Sequence, residues 1–330
     1  MIEILTTGLL NSVQDLGRTG FRNMGVGVAG AMDGLALQAG NALVGNVLGE
    51  AGVEVAFFPF RLKFHAAMRF AVTGADCDAA LDGEPIPPFW TRTARPGQVL
   101  ALSAPRFGVR AYIAIAGGLD LPIVLGSRST DLKAGFGGFE GRGLKRGDRI
   151  PTRPAIRATP QETGPGFGLA PASVLAHARD AAEGFTRLRV LPAAEHGEFT
   201  AEALDIFATR QWTLTKDANR IGYRLEGPLL AMTKPRELFS HGIVPGTVQV
   251  PPSGQPIIPL ADANTCGGYP KIATVIEPDL WRLAQSPAGC AIRFVEIGRD
   301  EAIAAIRDRA AEIDDIRSTV DLVARWKPAA

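Results

Sequence analysis

The sequence predicts a mainly β protein with a few short helices. Short apolar runs recur along the chain, bounded by turn residues rather than by helix caps. Gly occurs 38 times and Pro 24 times in 330 residues, and both interrupt long helices. Closely spaced short strands of this kind favour a barrel or a sandwich.

The chain opens with Ile2-Glu3-Ile4-Leu5, then a glycine-dense polar loop. Asp33 precedes Leu35, Ala36, Ala39, Leu43, Val44 and Val47, an apolar spacing that predicts a helix capped by Asp33 and ended at Gly45 or Gly49. From Gly52 to Ala116 short strands follow: 53–57, 61–64, 68–72, 98–102 and 110–115, with a tight hairpin signalled by Asp82-Gly83. A glycine-rich stretch covers 117–150, and prolines punctuate 151–185. Strand character resumes at 188–191, with a short helix expected over 198–209. Further strands are expected at 212–214, 223–225, 247–250, 257–260, 273–276 and 291–295. Pro278 suits the first position of a short helix over 279–284, and 300–325 has the spacing of a surface helix or two. This divides the chain into a β-rich domain over 1–150, a linker or long loop over 151–186, a second β-rich domain over 187–299 and a helical tail over 300–330.

Composition excludes several function classes. Apolar residues are 46% and charged residues 21%, as in ordinary globular proteins. A net charge of +1 gives no footprint for nucleic acid or an acidic membrane surface. The start lacks a secretory pattern, and no apolar run of about 18 residues predicts a membrane span. Cys77, Cys266 and Cys290 are widely spaced, which fits a reducing cytoplasm. No Cys or His pair has metal-ligand spacing, so no metal site is expected.

Three segments hold polar groups among glycines and prolines. In residues 12–33, Gln14, Asp15, Arg18 and Asp33 are candidates for ligand contact, because glycines let backbone N–H groups approach a ligand. The same spacing fits a structural loop in which Asp15 and Arg18 pair. Gly25, Gly27 and Gly30 match a dinucleotide fingerprint, with Glu50 about 20 residues on, but no buried strand precedes them. In residues 245–273, a strand delivers Asp262 to a Gly-Gly turn, with Gln249, Thr265, Tyr269 and Lys271 nearby. This reads as a rigid polar shelf for an amide-sized ligand, or as a hairpin in which Asp262 caps its own turn. In residues 219–227, Arg220 is placed to meet a carboxylate or ureido oxygen, or is simply a surface charge on a strand. Cys266 has no base brought near by sequence, with His241 the closest histidine. There is no P-loop, and Met232-Thr233-Lys234 departs from a biotinylation site, so no covalent cofactor is expected.

These segments, SVQDLGRTGFRNMGVGVAGAMD at 12–33, IAGGLDLPIVLGSRSTDLKAGFGGFEGRGLKRGD at 115–148, NRIGYRLEG at 219–227 and PGTVQVPPSGQPIIPLADANTCGGYPKIA at 245–273, resemble the biotin-dependent carboxyltransferase family, also called the allophanate hydrolase subunit 2 type. That family includes the C subunit of bacterial ATP-dependent 5-oxoprolinase, half of the urea carboxylase carboxyltransferase domain, and an antagonist of a sporulation-kinase inhibitor. The resemblance runs from residue 1 to about 300. The family's usual Thr-Thr-Gly-Gly-Tyr-Pro becomes Thr265-Cys266-Gly267-Gly268-Tyr269-Pro270, which puts a hydroxyl role at 266 in doubt.

The resemblance implies two cyclophilin-like β-barrels and a partner of the subunit 1 type (the B-type component of 5-oxoprolinase). The first functional expectation is ATP-dependent opening of 5-oxoproline to glutamate, with an A-type lactam-utilisation protein as second partner and ATP bound on a partner. Arg18 or Arg220 would then hold the substrate carboxylate, and Asp15 or Asp262 would act catalytically by orienting water or the amide N–H. The second is carboxyl transfer from carboxybiotin on a partner to urea or a related amide. The third is a non-enzymatic module that sequesters a kinase inhibitor.

Overall fold

Alternating burial builds the first β unit. In strand Phe60–Phe64, Phe60, Leu62 and Phe64 are fully buried while Arg61 is exposed and Lys63 half-buried, the period-two pattern of a sheet with one face in the core. The computed structural model describes residues 1–155, 166–234 and 238–325. Among these the chain forms two units. The first comprises Met1–Arg18, Ala29–Ala172 and the chain from Ala310, and the second comprises Thr19–Val28 and Ser173–Arg309.

The first unit holds two antiparallel sheets. One runs in the order Arg149–Ile150, Ile2–Thr6, Phe60–Phe64, Val99–Leu102, Ala80–Leu81, Glu84–Pro85. The other runs Ser12–Gln14, Gly52–Val55, Phe107–Ile115, Met68–Asp76, Trp90–Ala94. Both face one apolar core, with Ile2, Ile4, Leu62 and Leu100 from the first and Val13, Val53, Phe70 and Ile113 from the second. Each such side chain contributes roughly 1.5–3 kcal/mol by burial. Asp82 and Gly83 both have positive φ, of 49° and 89°, and form the expected hairpin. Helix α1, Gly34–Val44, lies on the second sheet; the Asp33 carboxylate accepts from the Ala36 N–H at 2.8 Å, and Gly45 closes the helix at φ 78°. Both ends are as the capping pattern predicts.

The second unit is a closed seven-stranded barrel. Its order is Phe185–Pro192, Lys271–Val275, Thr247–Gln249, Ile257–Pro259, Gly222–Glu226, Trp212–Leu214, Ala291–Glu296. The last strand closes the ring in parallel on the first, Phe185 opposite Ala291 through Val190 opposite Glu296. Closure leaves no edge for another strand to pair with. Leu188, Trp212, Val248, Ile258, Ile272 and Ile292 are fully buried. A separate hairpin pairs His241–Gly242 with Cys266–Gly267.

Most expected elements appear within a few residues. The helix predicted from 198 begins at Ala201 (α3, Ala201–Thr209), because Thr200 caps it by accepting from Ala203 N. A 3-10 turn over Glu277–Asp279 precedes α4, Leu280–Ala284, and the tail is one helix, α5, Arg299–Arg325. Of the stretch expected to be a linker, residues 156–165 lie outside the described residues, and 172–182 form a helix, α2 (Ala172–Ala182). The preceding prolines masked its weak periodicity. Among the described residues no helix is long and apolar enough to cross a membrane.

Candidate functional site

In the first unit, Asp15 is the hub of a loop anchor. One of its carboxylate oxygens accepts from Gly17 N at 2.7 Å, Ser127 Oγ at 2.7 Å and Ser129 Oγ at 2.5 Å, and the other from Arg128 N at 2.5 Å. Four donors fill the usual acceptor capacity of a carboxylate. Asp15 therefore ties strand Ser12–Gln14 to the loop 127–130. It does not pair with Arg18, whose guanidinium donates to Ser129 O at 2.5 Å and lies over the Phe136 ring at 4.6 Å. Gln14 donates to Ser12 Oγ and Thr130 O, at 2.9 and 3.1 Å. Gln14, Asp15 and Arg18 are thus brought together around residues 129–130, all buried.

Asp33 is occupied as the α1 cap, and its own N–H donates to Tyr112 Oη at 2.8 Å. Tyr112 in turn donates to Glu54 Oε2 at 2.7 Å, and Met32 N donates to the same oxygen at 2.9 Å. Burial, and secondarily the Glu54 charge, push the Tyr112 hydroxyl well above its usual range, so it stays protonated as a donor. The dinucleotide reading of the glycines falls away on geometry. A 3-10 turn over Arg22–Met24, not a strand, precedes Gly25. Glu50 is paired with Arg153 and lies 3.7 Å from Arg128. Gly30 has a structural reason: its φ is +87°, and a Cβ there would lie 2.8 Å from Gly17 N.

Residues 19–28 of this same motif belong to the second unit. The Arg22 guanidinium donates to Ile243 O, and a Cβ on Gly27 would meet Ala263 O at 3.6 Å. In that unit Arg220 and Asp262, two of the predicted ligand-facing groups, face each other. Arg220 Nε donates to Asp262 Oδ2 at 2.8 Å and Nη2 to Oδ1 at 2.9 Å, with both side chains under a tenth exposed. Backbone bonds pin the pair, Asp262 N to Arg220 O at 2.9 Å and Leu260 N to Ile221 O at 3.0 Å. This is a bidentate ion pair, and it occupies both of the roles expected of these residues.

Lys271 and Gln249 are cross-strand partners and share a face. The Lys271 ammonium donates to Glu195 Oε2 at 2.9 Å and also meets His241 Nε2. His241 Nδ1 lies 2.8 Å from Phe239 O. Glu195 also accepts from Lys271 N at 3.1 Å. Sequence reasoning missed Glu195, 76 positions from Lys271, and set His241 aside. Long-range pairing alone joins them, and no local signal announces it.

Thr265 and Tyr269 sit in the hairpin segment. Thr265 O accepts from Ile243 N at 3.1 Å, and its Oγ1 lies 3.8 Å from Cys266 Sγ. Tyr269, 46% exposed, lines a cavity of about 1060 Å³ with Cys266, Gly268, Ser240, Met232 and Pro252. Cys266 is exposed and stands opposite Gly242, while His241 stands opposite Gly267. Neighbouring residues on a strand point to opposite faces, so the hairpin turns Cys266 and His241 away from each other. Among the described residues no group of three or more His, Cys, Asp or Glu is placed to hold a metal ion.

With this geometry the chain matches the family model for the carboxyltransferase domain, subdomains A and B, over residues 24–296. It is 42% identical to the C subunit of 5-oxoprolinase from Escherichia coli K12 over 309 residues, 94% of this chain and 95% of that protein. It is 41% identical to the C subunit of 5-oxoprolinase from Haemophilus influenzae over 321 residues, 97% of this chain and 99% of that protein. The solved structure of Kluyveromyces lactis urea carboxylase matches with a TM-score of 0.84 at 26% identity, covering 97% of this chain and 29% of that one. A family model spanning most of the chain and near full-length relatives above two-fifths identity converge with the barrel and the polar segments: the chain belongs to the carboxyltransferase-domain family of subdomains A and B.

Proposed function

We propose that the chain is the C subunit of an ATP-dependent 5-oxoprolinase complex. The observation that carries this is the 42% identity over 95% of the Escherichia coli protein of that name. The reaction adds water across the lactam C–N bond: the carbonyl carbon gains the hydroxyl oxygen, the nitrogen gains a proton, and glutamate leaves. A lactam is a weak electrophile, so ATP hydrolysis drives the step, with the nucleotide on a partner because this chain carries no P-loop. Partners of the B type and the A type complete the enzyme in the cytoplasm, and no cofactor is attached to this chain. Gln14, Arg18, Asp33, Thr265 and Tyr269 shape the ligand loops in this reading. Asp15 and the Arg220–Asp262 pair hold those loops rigid, which is what precise positioning of a small substrate requires.

The test is reconstitution. Co-expressed with partners of the A and B types, the chain should support ATP-dependent conversion of 5-oxoproline to glutamate, and omitting it should abolish turnover. Turnover by the partners alone at the full rate would refute the proposal. A second reading is favoured by the fold match to urea carboxylase: carboxyl transfer from carboxybiotin on a partner to urea or a related amide. It predicts biotin-dependent carboxylation of urea by the reconstituted complex and no release of glutamate from 5-oxoproline.

A further inference from the structure

We infer that Gln249 and Lys271, with Lys271 positioned by His241 and Glu195, form a donor site for the carbonyl oxygen of an uncharged amide or lactam group. Gln249 is 5% exposed, and its Nε2 has no hydrogen-bond partner. A buried donor left unmade costs about 1–3 kcal/mol, so a native fold tolerates it where an acceptor arrives. That nitrogen lies over Gly267, where a Cβ would come within 2.6 Å of it. A side chain at 267 would overlap that nitrogen, so glycine is what the close approach allows. Lys271, opposite Gln249 in the barrel, has three N–H donors. One goes to Glu195 and one to His241 Nε2, and the inferred site gives the third to the same ligand oxygen as the Gln249 amide.

The protonation of the cluster selects the ligand. His241 Nδ1 faces the Phe239 carbonyl at 2.8 Å, which accepts only, so Nδ1 carries the proton. Nε2 is then a lone pair and accepts from the ammonium, and the imidazole is neutral. Glu195 and Lys271 carry opposite charges, so the cluster is neutral overall. A full carboxylate brought here would find no surplus positive charge. A carbonyl oxygen receives two donors, and the ammonium strengthens its hold as negative charge gathers on that oxygen. The site is thus matched to the lactam group and not to the acid group of the substrate, and it rests on the 5-oxoprolinase reading for its identity.

The experiment is ligand-observed saturation-transfer NMR on the full chain with two probes. 2-Pyrrolidinone carries the lactam without a carboxylate, and cyclopentanecarboxylate carries the acid without a lactam. Lys271→Met and Gln249→Met should each weaken 2-pyrrolidinone by about tenfold, the loss of one good hydrogen bond, and leave cyclopentanecarboxylate unchanged. Wild-type affinity for 2-pyrrolidinone in both variants, or loss confined to the carboxylate probe, overturns the inference. Should either variant fail to fold, ¹⁵N spectra of the wild-type histidines decide. His241 should show a protonated Nδ1 and a bare Nε2, and a protonated Nε2 overturns the placement of Lys271. In the reconstituted complex, loss of ATP-dependent turnover with unchanged probe binding separates failure of the 5-oxoprolinase reading from failure of this site.

Discussion

Removing the Asp262 carboxylate should unfold the barrel more readily than it damages any chemistry. Asp262 and Arg220 are 3% and 8% exposed at their side chains and bonded through two N–H···O contacts of 2.8 and 2.9 Å. Asp262→Ala takes away the carboxylate and leaves the guanidinium buried without it. Breaking a buried pair from one side costs about 3–5 kcal/mol, whereas replacing both partners by apolar groups is often neutral. With a urea slope of about 2 kcal/mol/M, the unfolding midpoint should fall by roughly 2 M in Asp262→Ala. The double variant Arg220→Met with Asp262→Leu should recover most of that loss, and turnover of the reconstituted complex should return with it. Urea titration by circular dichroism, read beside glutamate release, checks both statements. A midpoint that barely moves in Asp262→Ala would refute the energetic argument. A double variant that regains stability and stays inactive would show that Arg220 or Asp262 acts on the substrate directly.

Acid should expose a second buried group. Burial, and secondarily the Arg282 charge, lower the His177 pKa from 6.5 to about 4. The unfolded chain therefore binds the extra proton first, and stability present above pH 6.5 is lost as pH falls towards 4. The loss reaches up to roughly 3 kcal/mol, and His177→Phe, which keeps a ring against Trp281, should flatten the stability curve over that window. Burial, and secondarily Asp76, push the Cys77 thiol up to about 12, while Cys266 is exposed. A disulfide reagent at mildly alkaline pH should label Cys266 in the folded protein and Cys77 only on unfolding; early labelling of Cys77 would contradict its burial. Gly30→Ala should destabilise the first unit by about 2 kcal/mol or more, because the new methyl meets the Gly17 backbone at positive φ. An unchanged melting temperature would refute that close approach.

Much of this protein was legible from its residues alone. Period-two burial in Phe60–Phe64, the Asp33 and Gly45 caps of α1 and the Asp82-Gly83 turn are local, and each is set by side-chain alternation or by the φ a residue tolerates. The polar segments at 12–33 and 245–273 announced themselves because glycines and prolines bracket charged groups there. Which group meets which was another matter. Asp15 reaches Ser127 across 112 positions, Arg220 reaches Asp262 across 42, and Glu195 reaches Lys271 across 76. The packing of the two sheets decides the first pairing and the strand register of the barrel the other two, and register is fixed by the burial of whole faces rather than by any short window of sequence. That is why an arginine and an aspartate expected to hold a ligand hold one another, and why a histidine set aside in the sequence stands against the lysine that matters.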